Sequence, residues 1–188
     1  MNAVRAAALT PLPRNWLWLW LWLWLAAALA LGSAPLRAQA ISSPLQGRVV
    51  AVADGDSVTV LDAQQRRHRV RLLGVDAPEQ AQPWGTEASA HLRALVLQHE
   101  VQVDFAKTDR HGRLVGTLRL QGQDVNLQLL RAGLAWHHKP YAADQWLLER
   151  WRYARAERQA QREQRGLWAD PAPVPPWEYR QQQRAKPR

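Results

Sequence analysis

The sequence contains no cysteine, and this absence excludes several kinds of site and linkage. The chain cannot form a disulfide, use a thiolate nucleophile, bind zinc through thiolates or carry a lipid on cysteine. In an oxidising compartment its stability must therefore come from packing alone. No internal repeat is visible, and the length suits one domain with one core behind a short leader.

Acidic side chains are also absent from the first 40 residues. There Arg5 and Arg14 precede an uninterrupted apolar run over residues 16–32, and residues 38–40 read Ala-Gln-Ala. This order is typical of a secretory signal peptide, so we predict cleavage after Ala40 and a secreted or periplasmic protein. The alternative is an uncleaved leader that anchors the protein in the membrane, because the run approaches the minimum of about 17 residues for crossing a bilayer.

Acidic residues are in the minority throughout, with 16 against 25 lysines and arginines and a net charge of +9. The leader carries three of the basic residues and no acidic one, so cleavage would leave a net charge of +6. A basic excess of this size favours polyanionic partners such as nucleic acid or an anionic envelope surface. Simple colloidal solubility explains the same excess, and charge alone does not separate the two.

Residues 46–74 have the pattern of three consecutive antiparallel strands. A β-branched run ends at the Asp-Gly-Asp turn of residues 54–56, and apolar and polar side chains alternate after it. In the third segment Arg67, Arg69 and Arg71 share one face, with apolar side chains on the other.

Helical and strand patterns follow this region. Apolar residues recur at helical spacing in three segments, residues 86–98, 126–133 and 144–164. Period-two alternation returns in two segments, residues 100–106 and 113–120. We expect Leu147, Trp151 and Ala154 to form the apolar stripe of the longest helix. Five strands with helices late in the order favour an α+β, mainly β fold, a five-stranded OB-fold barrel with three flanking helices.

These patterns divide the chain into three regions. Residues 1–40 form the leader, residues 41–168 the barrel domain and residues 169–188 a Pro-rich, basic tail. We expect the tail to be extended, to pack at most through Trp177 and to fray at its end.

Four carboxylates stand at predicted turns and strand ends: Asp54, Asp56, Asp76 and Glu79. If the first and third strands pair, these groups approach one another at one end of the barrel. Hard oxygen ligands without nearby thiolates favour Ca²⁺ or Mg²⁺ over zinc. An EF-hand is excluded, because counting from Asp54 the glycine is second instead of sixth and the twelfth residue is Gln65.

Two arginines stand near the predicted carboxylate cluster. Arg71 precedes the second pair of carboxylates and Arg113 follows a polar turn, and each can donate two parallel hydrogen bonds to a phosphate. With a metal ion and a carboxylate that takes a proton from water, these groups suit phosphodiester hydrolysis. In the structural alternative Arg71 forms an ion pair with Asp76 or Glu79 and the other groups are turn residues. Spacing alone leaves both interpretations open.

Six segments occur in an order that resembles a known family. They read VADGDSV, VRLLGVDAPE, GTEASA, DRHGR, LLRAGLAW and RGLW. Together they resemble the thermonucleases, the staphylococcal nuclease-like family, over nearly all of residues 46–168. The resemblance implies an OB-fold barrel with three helices, and Ca²⁺-dependent hydrolysis of DNA and RNA phosphodiesters that leaves 3′-phosphate ends.

The resemblance also implies a calcium site. Asp56 and Asp76 match the family's calcium-ligand carboxylates, and Ala77 stands where the family contributes a main-chain carbonyl. Asp54 matches an acidic neighbour that acts on the metal through water. Ala77 is a threonine in the best-known member, a change that keeps the main-chain ligand and loses a hydroxyl.

For the reaction itself, the resemblance implies three acting side chains. Glu79 matches the carboxylate that serves as general base or orients the attacking water. Arg71 and Arg113 match the two arginines that bind the phosphate. We therefore expect Arg71, Glu79 and Arg113 to be the catalytic residues.

Outside those matches, Tyr141 is a candidate for base stacking and Lys107 for diffuse attraction to the polyanion. We expect His137 and His138 to be ordinary surface or packing residues. DNA and RNA, with unpaired regions favoured, are the expected partners of a monomeric protein that meets the membrane only through its leader. Two rival interpretations are a non-catalytic OB-fold nucleic-acid-binding protein of the cell envelope and an envelope interaction module held by an uncleaved leader.

Overall fold

The computed structural model of the protein describes residues 43–185, apart from the side chains of residues 141–143. The predicted leader and its cleavage site lie outside the described residues, as does the end of the tail beyond residue 185. No helix within residues 43–185 combines the length and apolar character needed to cross a bilayer.

Eight strands and four α-helices make up the described chain. The strands are β1 (Leu45–Asp54), β2 (Ser57–Leu61), β3 (Arg67–Leu72), β4 (Val75–Asp76), β5 (Glu100–Thr108), β6 (Leu114–Leu120), β7 (Gln123–Asp124) and β8 (Trp136–His137). The helices are α1 (Gly85–Val96), α2 (Val125–Ala132), α3 (Leu147–Arg162) and α4 (Pro176–Ala185). Short 3₁₀ turns cover Lys139–Asp144 and Gly166–Ala169.

Five strands close into a barrel in the order β3-β2-β1-β5-β6. Neighbours in this order are antiparallel, and the barrel is closed by a parallel pairing of β3 with β6 that sets Val70 opposite Leu114. The predicted five-stranded barrel is confirmed, as are the three consecutive antiparallel strands at its start. The first and third strands do not pair, because β2 lies between them.

Alternation along the strands fills the barrel. In β3 the side chains of Val70 and Leu72 are buried while Arg67 and Arg69 are exposed, as the period-two pattern predicts. The core continues through β-branched residues of β1, β2 and β5 and through Leu92 of α1. With the apolar residues inside the barrel, polar residues lie at the strand ends and in the turns.

The three predicted helices are present as α1, α2 and α3, and α2 ends as expected at Gly133. Asp124 begins α2 by accepting a hydrogen bond from the Leu127 N–H, and Gly133 ends it with φ of +70°. α2 packs against β6 and against α3, and α1 packs against β1.

The apolar stripe predicted for α3 is wrong. Leu147 and Trp151 are 83% and 53% exposed, whereas Tyr153, Ala156 and Ala160 are buried. The buried face is chosen by α2 and by Asp124, whose two carboxylate oxygens share the Tyr153 O–H over 3.0 Å each. A helix with apolar residues on more than one side has no single face that its sequence identifies.

The prediction of an extended tail is also wrong, because residues 176–185 form α4. Pro176 is the first residue of the helix, a position where its fixed φ and missing N–H cost little. The helix packs through Trp177, whose ring centroid lies 5.7 Å from that of Trp136. The Tyr179 hydroxyl donates a hydrogen bond of 3.2 Å to the Ala81 carbonyl. A fourth helix is thus added to the three that flank the barrel.

Candidate active site

The Asp-Gly-Asp turn between β1 and β2 places Asp56 inside the protein. The Asp54 Oδ1 accepts the Asp56 N–H over 3.0 Å, which shapes the turn. A Cβ added at Gly55 would come closer than contact distance to Ala77 and Ala88, so glycine is the residue that this approach allows. The Asp56 Oδ2 accepts the Ala77 N–H over 2.9 Å. The turn therefore lies directly against the segment that contains the second pair of carboxylates.

Asp76 is held by a two-stranded ladder at the end of the barrel. β4 pairs with β8, which sets Asp76 opposite Trp136. The side chains of Asp56 and Asp76 are almost fully buried. The predicted approach of the two acidic segments is present, although it comes from the β2–β3 pairing, in which Ser57 lies opposite Arg71.

Arg71 joins the two buried carboxylates. Its Nη1 lies 2.8 Å from Asp56 Oδ2, and its Nη2 lies 2.8 Å from Asp76 Oδ1. Nη1 also donates to the Val75 carbonyl over 2.9 Å. The ion pair with Asp76 that the structural alternative expects is present, and a second ion pair with Asp56 accompanies it. One guanidinium reaches both carboxylates, so all three groups share one site.

Burial disfavours the charged form of Asp56 in spite of the contact with Arg71. Burial raises the pKa of Asp56 from 3.8 to about 7, Arg71 opposes this rise, and the neighbouring carboxylates of Asp54 and Asp76 add to it. A charged Asp56 is therefore unfavourable unless more positive charge comes close.

Glu79 stands at the solvent side of the same site. Its backbone N–H donates to Gln82 Oε1 over 3.1 Å, and Gly85 packs so closely on its carbonyl that a Cβ there would clash. The carboxylate itself is 40% exposed and accepts a hydrogen bond of 2.7 Å from Arg180. The loop fixes the backbone of Glu79 while its side chain stays within reach of water.

Arg113 is positioned by the turn between β5 and β6. Its backbone N–H and its Nε both donate to the Asp109 carboxylate, over 2.9 and 2.8 Å. Burial acts to raise the pKa of Asp109, but the hydrogen bonds from Arg113 and His111 hold it at about 2. The turn stays ionised at neutral pH and fixes the start of the Arg113 side chain.

These groups line one cavity of about 650 Å³. The sequence-predicted site residues that line it are Asp54, Asp56, Arg71, Asp76, Ala77, Glu79, Lys107 and Arg113. Lys107 also forms an ion pair of 2.5 Å with Asp144. The Tyr141 side chain lies outside the described part of the chain, so its stacking role stays a prediction.

Two side chains that approach Asp76 in this cavity were not predicted as site residues from the sequence. His138 is buried, with Nδ1 3.6 Å from Asp76 Oδ2, and burial lowers its pKa. Arg180 donates from Nη2 to Asp76 Oδ2 over 2.8 Å. For Arg180, a sequence signal was the proline that can begin a helix just before Trp177. For His138, strand alternation predicts only that it points away from His137.

The chemistry of the two buried carboxylates fits a hard divalent cation. Within residues 43–185, no three or more histidine, cysteine, aspartate or glutamate side chains are gathered as metal ligands. Asp56 and Asp76 nevertheless offer carboxylate oxygens to one shared positive group, the guanidinium of Arg71. Oxygen donors of this kind suit Ca²⁺ or Mg²⁺.

Comparison with known proteins places the chain in a family. The model of the family described as "Staphylococcal nuclease homologue" matches residues 69–170. An "Uncharacterized endonuclease" of Escherichia coli is 36% identical over 141 residues, which cover 74% of this chain and 88% of that protein. The corresponding values for a "Micrococcal nuclease" of Shigella flexneri are 34% over 146 residues, 72% and 80%. On the family match and these relatives, the chain belongs to the staphylococcal nuclease homologue family.

Proposed function

We propose that the protein is an exported, Ca²⁺-dependent nuclease that hydrolyses phosphodiester bonds of DNA and RNA and leaves 3′-phosphate ends. The observation that carries the proposal is the contact of one arginine, Arg71, with two buried carboxylates in a cavity that Glu79 and Arg113 also line. Family membership and the nuclease names of the relatives support the same reaction class.

In this proposal, Asp56 and Asp76 hold the cation, with the Ala77 carbonyl as a further ligand and Asp54 acting through water. Bound Ca²⁺ would supply positive charge that polarises the phosphate and offsets the charge gathering on its oxygens. The pKa of Asp56 would then fall, because the cation favours the ionised carboxylate.

The remaining side chains act on substrate and water. Glu79 accepts a proton from the attacking water or orients it, a role that suits a carboxylate exposed to solvent at the rim of the site. Arg71 and Arg113 donate N–H groups to the phosphate oxygens, where two parallel bonds from each guanidinium fit the geometry of a phosphate. Lys107 and Tyr141 would assist binding through charge and base stacking.

Export and partners are part of the same proposal. Residues 1–40 would direct secretion and be removed after Ala40, releasing a monomeric enzyme to the periplasm or medium. The basic net charge of the chain favours DNA and RNA as substrates, because it attracts their phosphates. Mass spectrometry of the exported protein tests the cleavage site.

The activity is tested by digestion of single-stranded DNA with the purified protein in Ca²⁺, in Mg²⁺ alone and with a calcium chelator. We expect cleavage only with Ca²⁺, and we expect Glu79→Gln to lower kcat by about 100-fold or more while KM changes little. The matched control is Glu87→Gln, at an exposed position of α1. Binding without cleavage in every condition would favour the non-catalytic barrel, and equal losses in kcat and in affinity would contradict the role of Glu79.

A further inference from the structure

The guanidinium of Arg180 contacts the carboxylates of Asp76 and Glu79, which both have roles in the proposed function. Nη2 donates to Asp76 Oδ2 over 2.8 Å, and Nη1 donates to Glu79 Oε1 over 2.7 Å, with a longer contact of 3.3 Å to Asp76 Oδ1. The Asp76 side chain is 1% exposed and that of Arg180 is 37% exposed. Arg180 thus covers the buried carboxylate from the solvent side.

Neighbouring residues of α4 hold Arg180 in this position through contacts that do not involve its guanidinium. On the same helix, the Trp177 ring lies 5.7 Å from Trp136 and 5.5 Å from His138, measured between ring centroids. The Tyr179 hydroxyl donates to the Ala81 carbonyl over 3.2 Å. A docked helix therefore presents Arg180 to the site, which distinguishes this contact from a surface ion pair that exchanges freely with water.

The surface on which α4 docks is the scaffold of the site. Trp136 pairs with Asp76 in the β4–β8 ladder, and Ala81 belongs to the loop that follows Glu79. Gln82, which accepts the Glu79 N–H, donates its own side-chain N–H to the Val174 carbonyl just before α4. The position of α4 is consequently tied to the segments that carry Asp76 and Glu79.

A guanidinium and a divalent cation cannot both occupy the same carboxylate oxygen. Both are positive, and their repulsion is strong at short distance in a partly buried site. The Asp76 Oδ1 is already taken by Arg71, which leaves Oδ2, the atom that Arg180 contacts. Arg180 also contacts Oε1 of Glu79, the carboxylate proposed to act on water.

We propose that Arg180 is a tethered competitor of the divalent cation, which holds Asp76 and Glu79 until a cation takes Asp76 and α4 moves away. This inference rests on the proposed function, since it takes Asp76 as a cation ligand. The C-terminal helix then sets the cation concentration at which the site becomes competent, and it keeps Glu79 from acting before the cation is bound.

The effect on affinity follows from the fraction of molecules in which Arg180 is released. The apparent affinity for the cation is reduced by that fraction. If Arg180 is detached from the carboxylates in about one molecule in ten, Ca²⁺ binds about tenfold more weakly. Removing the competing charge should restore the lost affinity. A lysine at the same position offers a single point charge in place of a fork, so it should compete less well.

Isothermal titration calorimetry with Ca²⁺ on the whole chain measures this competition without any assay of activity. We expect Arg180→Gln to bind Ca²⁺ about tenfold more tightly than the wild type, with Arg180→Lys between them. The matched control is Arg158→Gln, which removes the same charge at an exposed position of α3. Trp177→Ala, which weakens docking and leaves Arg180 in the sequence, should also tighten binding.

Hydrogen exchange gives a second measurement that does not depend on affinity. Saturating Ca²⁺ should speed exchange of the amides of residues 176–185, while the barrel strands exchange no faster. Circular dichroism of each variant shows whether the barrel is intact and the comparison valid.

The two proposals fail in different ways. If the wild type binds Ca²⁺ but Arg180→Gln binds with unchanged or weaker affinity and α4 stays protected, the competitor role is overturned and the nuclease proposal stands. If neither the wild type nor Arg180→Gln binds Ca²⁺, the cation site itself is wrong and both proposals fall.

Discussion

At the scale of single residues, Arg71 is the group that allows two carboxylates to be buried side by side. It contacts Asp56 and Asp76 at 2.8 Å each and is itself only 13% exposed. A buried carboxylate without a partner costs several kcal/mol, so Asp56 depends on Arg71, and Asp76 depends on Arg71 and Arg180. The same residue is proposed to bind phosphate, which joins stability and function at one position.

We therefore predict that Arg71→Met lowers the free energy of unfolding by about 3 kcal/mol or more, because Asp56 loses its arginine and Asp76 keeps only Arg180. The loss should be smaller at pH 5 than at pH 8, since protonation of Asp56 removes part of the unpaired charge. Urea unfolding at both pH values measures it. Arg67→Met, on the exposed side of the same strand, is the control, and equal small losses in both variants would contradict the prediction.

At the scale of elements, turns and short ladders place the site on the barrel. The β5–β6 turn uses Asp109 to accept hydrogen bonds from the backbone of His111 and Arg113 and from the Arg113 side chain. The two-residue backbone pairing of β4 with β8 fixes the position of Asp76. Each functional side chain thus begins from a fixed backbone.

The Asp109 turn gives a prediction on pH. The pKa of Asp109 is lowered from 3.8 to about 2 in the folded protein, so its contribution to stability is complete above pH 4 and is lost as the pH falls toward 2. Asp109→Asn should lower the Tm at pH 7, and the difference from wild type should shrink between pH 4 and pH 2. Thermal unfolding across this range checks it, with Glu87→Gln as a control. A difference that is constant with pH would contradict it.

At the scale of the whole molecule, net charge and one shared cavity are the features that bear on binding of a polyanion. The chain has a net charge of +9, and the cavity combines the acidic site with arginines from β3, the β5–β6 turn and α4. Such a surface attracts a polyanion from a distance, and its attraction is screened by salt.

We predict that KM for single-stranded DNA rises steeply between about 50 and 200 mM NaCl while kcat changes much less, because ionic contacts with phosphates govern binding. Steady-state cleavage at fixed free Ca²⁺ measures both constants. Repeating the series with a short dinucleotide substrate controls for salt effects on the site itself, since few phosphates are then bound. A KM that does not respond to salt would indicate that binding depends on base contacts instead.

Much of the fold follows from local patterns that the sequence carries by itself. Period-two alternation identified the five barrel strands, helical spacing identified α1 and α2, and Gly133 marked the end of α2. The acidic segments around Asp56 and Asp76 were also expected to meet, although through a strand pairing that the structure does not contain. These features could be predicted because each depends on neighbours within a few residues or on the order of the strands.

Other features were decided only by the tertiary structure, because they depend on surfaces far apart in the chain. The buried face of α3 was chosen by α2 and Asp124, which left Trp151 exposed. The tail became helical where Trp177 could pack on Trp136, and this docking brought Arg180 to Asp76, 104 positions away. Propensity and spacing describe the segment that carries Arg180, but the carboxylates that hold it exist as a site only after the barrel has closed.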